Sequence, residues 1–371
     1  MLRAIDAMGE ENINLRDGLF MLLLKPDIFI VRISASFWIL VYGLAYYVFP
    51  EDIPEIYLRD AVQIQYLIQG TLSFEEDGSF GATSAVFNIL PQEVNHAVVG
   101  LLNCYILWLI LTQIKTFRGL VLIIPLLAPL VLLNMMSPTK DTIVLMMTLL
   151  IYSVSLRVRP PLSLLLTILG CYAVYGFFVR SYYLLIVVAF MGYLIIDKTH
   201  ASRVFLYTPI LLLIVFLLPE QLYQTLEGSR DEVNFWIILG KTDNEVRTLF
   251  TNPFPPDSGL HFLGNYAYAL CLLNFPFLLD VTRNEVMMAV DIAVQTWLIT
   301  IGIRMLQGPQ RLLTFLFVAH VTVLILFEPD YGSYMRHFSS VFLYLLPAFA
   351  FQERKHAEAL RHALVAQRSG C

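Results

Sequence analysis

Three short motifs hold the residues best able to do chemistry. In Asn134-Met-Met-Ser-Pro-Thr-Lys-Asp141, Ser137 reads as an N-cap and Pro138 as a first helical residue. Lys140 then falls in the first turn of a helix, where free N–H groups and the positive end of the dipole already favour an anion. Asp141 brings its own negative charge to that turn. The motif therefore reads either as a phosphate site or as a capped turn in headgroup water. In Phe178-Val-Arg-Ser-Tyr-Tyr183 a hairpin with almost no loop puts Arg180 at the boundary of two apolar runs. Ionisable groups there are costly and often functional, and the plainer reading is an arginine snorkelling to lipid phosphate. In Phe327-Glu-Pro-Asp-Tyr-Gly-Ser-Tyr-Met-Arg-His337, Arg336 and His337 open the last apolar run. Asp330, Tyr331 and Tyr334 precede them, and acids beside aromatic faces suit sugar binding as well as they suit a polar cap on a hairpin.

Lys140, Arg180 and Arg336 thus hold equivalent positions, each a cation at the start of an apolar run. Three such cations could clamp a diphosphate, because arginine forks match phosphate oxygens. A fourth segment, Glu55 to Gly70, spaces Ile56, Ala61, Ile64, Leu67 and Ile68 at helical intervals. It predicts an amphipathic helix lying on a membrane and ending at the glycine. Glu55 and Asp60 near its start could serve as a general base on a hydroxyl or could simply satisfy the dipole. Glu75-Glu-Asp77 reads as a solvated run, and His320, inside an apolar run, as an interhelical hydrogen-bonding histidine. No Cys/His spacing of the metal-binding kind appears, Cys104, Cys171, Cys271 and Cys371 predict no disulfide, and no nucleotide-binding motif is present. No cofactor and no metal are expected.

The elements that must position these groups are apolar. The chain has 371 residues, 58% hydrophobic and 14% charged, where a soluble domain carries about 25% charged residues. Continuous apolar runs exclude a barrel of alternating strands. They predict an all-α, polytopic membrane protein forming one transmembrane domain over residues 1–371. About ten spans are expected, at about 20 residues each. They fall near Ile30–Phe49, Ala97–Ile114, Leu120–Met136, Thr142–Leu156, Leu162–Val179, Tyr182–Ile196, Val204–Leu218, Val286–Ile303, Leu312–Phe327 and Ser339–Phe351. Leu260–Leu279, broken by Asn265, Asn274 and Pro276, reads as re-entrant or interfacial. Met1 to Asp27 is amphipathic and acidic, unlike a cleavable signal peptide. With the N-terminus inside, 16 of the 24 Lys and Arg but only eight of the 29 Asp and Glu fall on the inner side, the bias expected of cytoplasmic loops. Both ends are then cytoplasmic, including a basic tail over 352–371, and two long segments, 51–95 and 219–258, face outward with all three cations.

With those residues in view, the chain resembles bacterial cell-surface polysaccharide polymerases of the Wzy or exopolysaccharide-polymerase type. The resemblance lies in Ser-Pro-Thr-Lys-Asp at 137–141, Arg180, Asp-Tyr-Gly-Ser-Tyr-Met-Arg-His at 330–337, and the overall topology. The segment after the first span also looks like the first outer loop of GT-C glycosyltransferases, in which an acid precedes a glycine as Glu55 precedes Gly70; the second acid of that family's pair is replaced here by Ile56. The resemblance implies glycosyl transfer at the outer face of the bacterial cytoplasmic membrane, without nucleotide. The donor would be a polyprenyl-diphosphate-linked glycan, and the product an exopolysaccharide or O-antigen-like polymer. Arg336 would stabilise the leaving diphosphate with Lys140 and Arg180. Asp60, or failing that Asp330, would be the base, and Glu55, Asp141, Tyr331, Tyr334 and His337 would line the substrate. Partners would be the bilayer and, in such systems, chain-length regulator and flippase proteins, with no nucleic acid. The competing readings are a transporter or flippase of lipid-linked sugar, which would want internal repeats and polar groups at mid-membrane where only Asp291 stands out, a single-sugar GT-C transferase, a non-enzymatic scaffold, and an acyltransferase, which would want a histidine–acid pair that no sequence motif provides.

Orientation is directly testable. Reporter fusions at Lys115, Arg159, His200 and Gln307 should read cytoplasmic, and fusions at Asp77, Lys241 and Asp330 should read outside. An outside signal at Gln307 would make Leu260–Leu279 a full span.

Overall fold

A computed structural model describes residues 28–49, 59–69, 78–157, 161–197, 213, 215–240, 249–278 and 283–369. Glu55, Gly70 and most of the run Val204–Leu218 lie outside the described residues. Among those described, regular structure is helical, apart from an isolated bridge between Leu249 and Asp330. In chain order the helices are α1 (Ile28–Tyr47), α2 (Arg59–Ile68), α3 (Gly78–Phe87), α4 (Gln92–Leu111), α5 (Phe117–Leu130), α6 (Lys140–Arg157), α7 (Pro161–Phe178) and α8 (Tyr183–Asp197). There follow α9 (Glu220–Gly240), α10 (Gly259–Asn274), α11 (Arg283–Met305), α12 (Gly308–Phe327), α13 (Tyr331–Ser340) and α14 (Leu346–Ser369).

Four stretches are long and apolar enough to cross a membrane: Gln92–Leu111, Arg118–Met135, Val286–Met305 and Gly308–Phe327. Shorter apolar helices cover Ile33–Tyr47, Leu162–Phe178 and Tyr183–Asp197. Their outward faces leave Leu101, Trp108, Leu166 and Val188 exposed. That is an apolar surface suited to lipid and unsuited to water. The membrane class is therefore carried by the helices themselves.

Helix α12 is the hub, packed against α8, α9, α10, α11 and α13, while α1 lies on α4 and α2 on α3. Helix α5 contains Pro125 and Pro129, whose missing N–H groups loosen the ladder, and it runs on into a π-turn over Val131–Met135. Two local readings change. Helix α6 begins at Lys140 rather than at Pro138: the Thr139 N–H donates to Thr142 Oγ1 at 3.0 Å, so Thr139 takes the capping position expected of Ser137. The expected last span, Ser339–Phe351, is no continuous helix. α13 ends at Ser340, a 3₁₀ turn covers Phe342–Tyr344, and α14 starts at Leu346. Every residue from His337 to Ala350 is buried. Non-helical backbone at such depth is tolerated only where protein encloses it.

At the opposite end, α14 is tied to α5 by a carboxylate. Glu353 accepts from the backbone N–H groups of Lys115 at 2.9 Å and Thr116 at 3.0 Å, and from Thr116 Oγ1 at 3.1 Å. Thr116 itself caps α5 through Gly119 N–H at 3.0 Å. An anion on free N–H groups at a helix start is stabilising twice over, by hydrogen bonds and by the dipole. Glu353→Gln keeps the shape and loses the charge, so thermal unfolding in detergent should show a loss of about 1 kcal/mol, rising to about 3 kcal/mol for Glu353→Ala, which strands the donors. An alanine variant as stable as wild type would contradict this role.

Candidate functional site

The cations at 140, 180 and 336 arrive on three different elements and meet. Lys140 and Asp141 open α6, Arg180 sits in the turn between α7 and α8, and Arg336 and His337 lie in the last turns of α13. Asp60 reaches them from the start of α2. Arg336 Nη1 donates to Asp60 Oδ2 at 3.0 Å, and its Nε lies 3.3 Å from Asp141 Oδ2. Lys140 Nζ is 3.9 Å from the same Asp60 oxygen and stands over the Phe80 ring of α3. Arg180 Nη1 donates to Tyr182 Oη at 2.9 Å and to His337 Nε2. His337 Nδ1 lies 2.6 Å from Glu328 Oε1, and its Nε2 lies 3.5 Å from Asp141 Oδ1.

Several devices hold this arrangement. Asn134, in the π-turn after α5, donates from Nδ2 to the Arg336 carbonyl at 3.0 Å and to Ser339 Oγ at 2.8 Å. The π-turn therefore sets the register of α13, a common use of such turns at functional sites. Asp330 caps α13, its Oδ1 accepting from Ser333 N–H at 2.9 Å. Tyr175 Oη bonds the Lys140 carbonyl at 3.5 Å.

The electrostatics follow from burial. Lys140 is 5% and Asp141 0% exposed, whereas the Arg336 and Asp60 side chains keep 25% and 18%, so the cluster meets its surroundings along the Asp60–Arg336 edge. Buried charges persist only when paired, and here three cations face three carboxylates. Burial raises the Asp60 carboxyl pKa, but Arg336, Lys140 and Arg180 lower it by more, leaving it below the ordinary carboxylate value. A carboxylate so held is a strong anchor and a weak base. Both Asp141 oxygens and Arg336 Nε lack an aligned hydrogen bond despite their ionic contacts. That is unspent polar capacity in the middle of the cluster.

The histidine state can be deduced. A guanidinium only donates, so His337 Nε2 facing Arg180 is an acceptor and Nδ1 carries the proton toward Glu328. The result is a neutral imidazole oriented by a carboxylate.

Of the residues singled out from sequence, the structure brings together Asp60, Lys140, Asp141, Arg180, Arg336 and His337. Asp330, a candidate base, is drawn instead into capping α13. Tyr334 donates to Asn274 Oδ1 at 3.3 Å, Tyr331 is buried in the same short helix, and Glu55 lies outside the described residues. The absence of a histidine–acid motif is corrected by the Glu328–His337 pair. Nine positions and a helix break separate the two, which hides them from a motif search; the Glu-Pro-Asp turn was the available signal. Nothing in the sequence around Asn134 announces its bonds to α13. His320, as expected, bonds across helices to Tyr172. Among the described residues no group of His, Cys, Asp and Glu is arranged to hold a metal ion. Comparison with known proteins returns no matching family, curated protein or solved structure.

Asp60 should make stability depend on pH with a fixed sign. Its folded pKa is depressed, so its contribution is complete above the unfolded value of about 4 and disappears as pH falls through the folded value. Melting of the detergent-solubilised protein should show Asp60→Asn less stable than wild type at neutral pH. The gap should close at the acid end. A gap that stays constant down to pH about 3 would assign the loss to packing.

Proposed function

We propose that this chain is a membrane glycosyltransferase that joins polyprenyl-diphosphate-linked glycan units into a surface polysaccharide. It would act at the outer face of a bacterial cytoplasmic membrane, with about ten spans and both termini in the cytoplasm. The observation that carries the reading is the convergence of Lys140, Arg180 and Arg336, from three separate helix boundaries, on one partly open cluster. No hydrolytic nucleophile or metal is needed to use such a site. Its capacity is to hold an anion with several negative oxygens.

In the proposed reaction the acceptor hydroxyl attacks the anomeric carbon of the donor. The C–O bond to the diphosphate breaks, and the polyprenyl diphosphate leaves with the bonding electrons. Charge grows on the leaving oxygen, where preorganised cations lower the barrier most. The diphosphate would displace Asp60 from Arg336 and Lys140, exchanging one anion for another and sparing those cations an unpaired state. When Arg180 turns to phosphate, the His337 Nε2 lone pair is freed and can take the hydroxyl proton, with Glu328 holding Nδ1–H and stabilising the imidazolium. This assigns the base to His337 rather than to Asp60 or Asp330.

One observation favours the transporter reading: Asp291, within the first half of α11, is buried, and among the hydrogen bonds described its partner is Gln295 on its own helix. A carboxyl at mid-membrane is a feature of ion-coupled carriers.

Polymer length on a gel, beside an immunoblot of membrane protein, separates these readings. Arg336→Ala should abolish polymer with the protein still inserted, leaving single lipid-linked units at the outer face. Losing one preorganised donor costs about 3 kcal/mol, or roughly a hundredfold in rate. Arg336→Lys should restore only part, since lysine keeps the charge and loses the fork. Full-length polymer at normal yield from Arg336→Ala would remove the assignment. Units trapped on the inner face would favour the transporter.

A further inference from the structure

Helix α9 is built inside out. Tyr223, Glu227, Arg230 and Asn234 recur at helical spacing and are its buried face, while Leu222, Val233 and Phe235 are exposed. A helix packed against apolar neighbours would bury the leucine, valine and phenylalanine. This one buries an arginine, 2% exposed and the largest fully buried side chain described.

The partners of Arg230 explain the inversion. Its Nη2 donates to the carbonyls of Ile325 and Leu326, and its Nη1 to Asn252 Oδ1 at 2.9 Å. Its guanidinium carbon lies 4.9 Å from the centre of the Phe250 ring. Ile325 and Leu326 belong to the last turn of α12, whose carbonyls have no helical partner. A guanidinium there satisfies two of them and meets the negative end of the helix dipole. The same neighbourhood is tied once more: Phe250 N–H donates to the Pro329 carbonyl at 3.3 Å, a bond of the antiparallel bridge that pairs Leu249 with Asp330. Asn234 Nδ2 in turn holds the Phe250 carbonyl at 3.0 Å.

Arg230 thus holds the last turn of α12 directly, Phe250 holds the Glu328-Pro329-Asp330 turn that follows it, and Asn252 and Asn234 bind the Phe250 segment to the same helix α9. That turn does two things for the site. Glu328 holds His337, and Asp330 caps the helix that carries Arg336 and His337. We infer that Arg230 is a positioning residue: from the segment 219–258 it fixes the end of α12, and through the Glu328–Asp330 turn it sets the placement of the Glu328–His337 pair. Its effect on glycosyl transfer rests on the reading above. Its effect on the turn does not.

Two measurements on the full chain test this. The first is amide hydrogen exchange of purified protein in detergent. Arg230→Met keeps the apolar stem and removes the donors, so exchange over residues 328–337 should rise about tenfold, with the inner ends of α5 and α14 unchanged. Arg230→Lys, which can reach a carbonyl but not Asn252 as well, should recover part of the protection. Exchange over 328–337 equal to wild type in Arg230→Met, or raised equally everywhere, would overturn the inference. The second is a double-mutant cycle on polymer formation at matched protein level. Arg230→Met should slow transfer about tenfold in the wild-type background but less than about twofold when Glu328→Gln is already present, because both changes act on one pair. Full additivity would assign Arg230 to stability alone. Raised exchange together with polymer formation indifferent to Arg336 would fault the proposed reaction and leave the role of Arg230 in the turn standing.

Discussion

The contact on which the rest depends is the sharing of Arg336 between Asp60 and Asp141. None of these charges is fully in water, and an isolated one would cost several kcal/mol to keep there. Each therefore constrains the element that carries it. α2 must lie across the start of α6, α6 must begin beside α13, and α13 must stop short instead of running on as a span. Lys140 and Arg180 are bound by the same requirement through Asp60, Tyr182 and His337. A near-neutral sum of fixed charges also fits a site that exchanges ligands. In the proposed reaction an entering anion would replace a carboxylate already present, and the empty site would not have to hold a bare triple cation.

Two ends of the bundle use one physical idea with opposite signs. At one end Glu353 brings a carboxylate to the free N–H groups at the start of α5. At the other, Arg230 brings a guanidinium to the free carbonyls at the end of α12. Helix termini are where a membrane protein has unmet backbone groups and little water to meet them. Long-range charged caps answer that need and fix helix positions relative to one another.

What the sequence discloses follows from distance along the chain. Helices α4, α7, α8 and α12 are legible because each is a continuous apolar run, and they begin and end within about five residues of the expected bounds, whereas α9 lies in a polar segment whose helical character no apolar run announces. The three cations are legible because each stands at the edge of such a run. The Glu353–Thr116, Arg230–Leu326 and Asn134–Ser339 contacts are not, since their partners lie far apart in sequence and no periodicity links them. The break at Val341–Leu345 was hidden for a different reason. Apolar composition reads the same whether a side chain faces lipid or protein, and this stretch faces protein on every side.

That enclosed break bears on how the chain is made. The stretch from His337 to Ala350 is interrupted at 341–345, and α6, α11 and α12 are among the helices that enclose it, which keeps its irregular backbone from lipid. It also leaves the ribosome after all of them. A chain that stops before this stretch would leave α6, α11 and α12 without the side chains packed between them, a bundle with its centre unfilled.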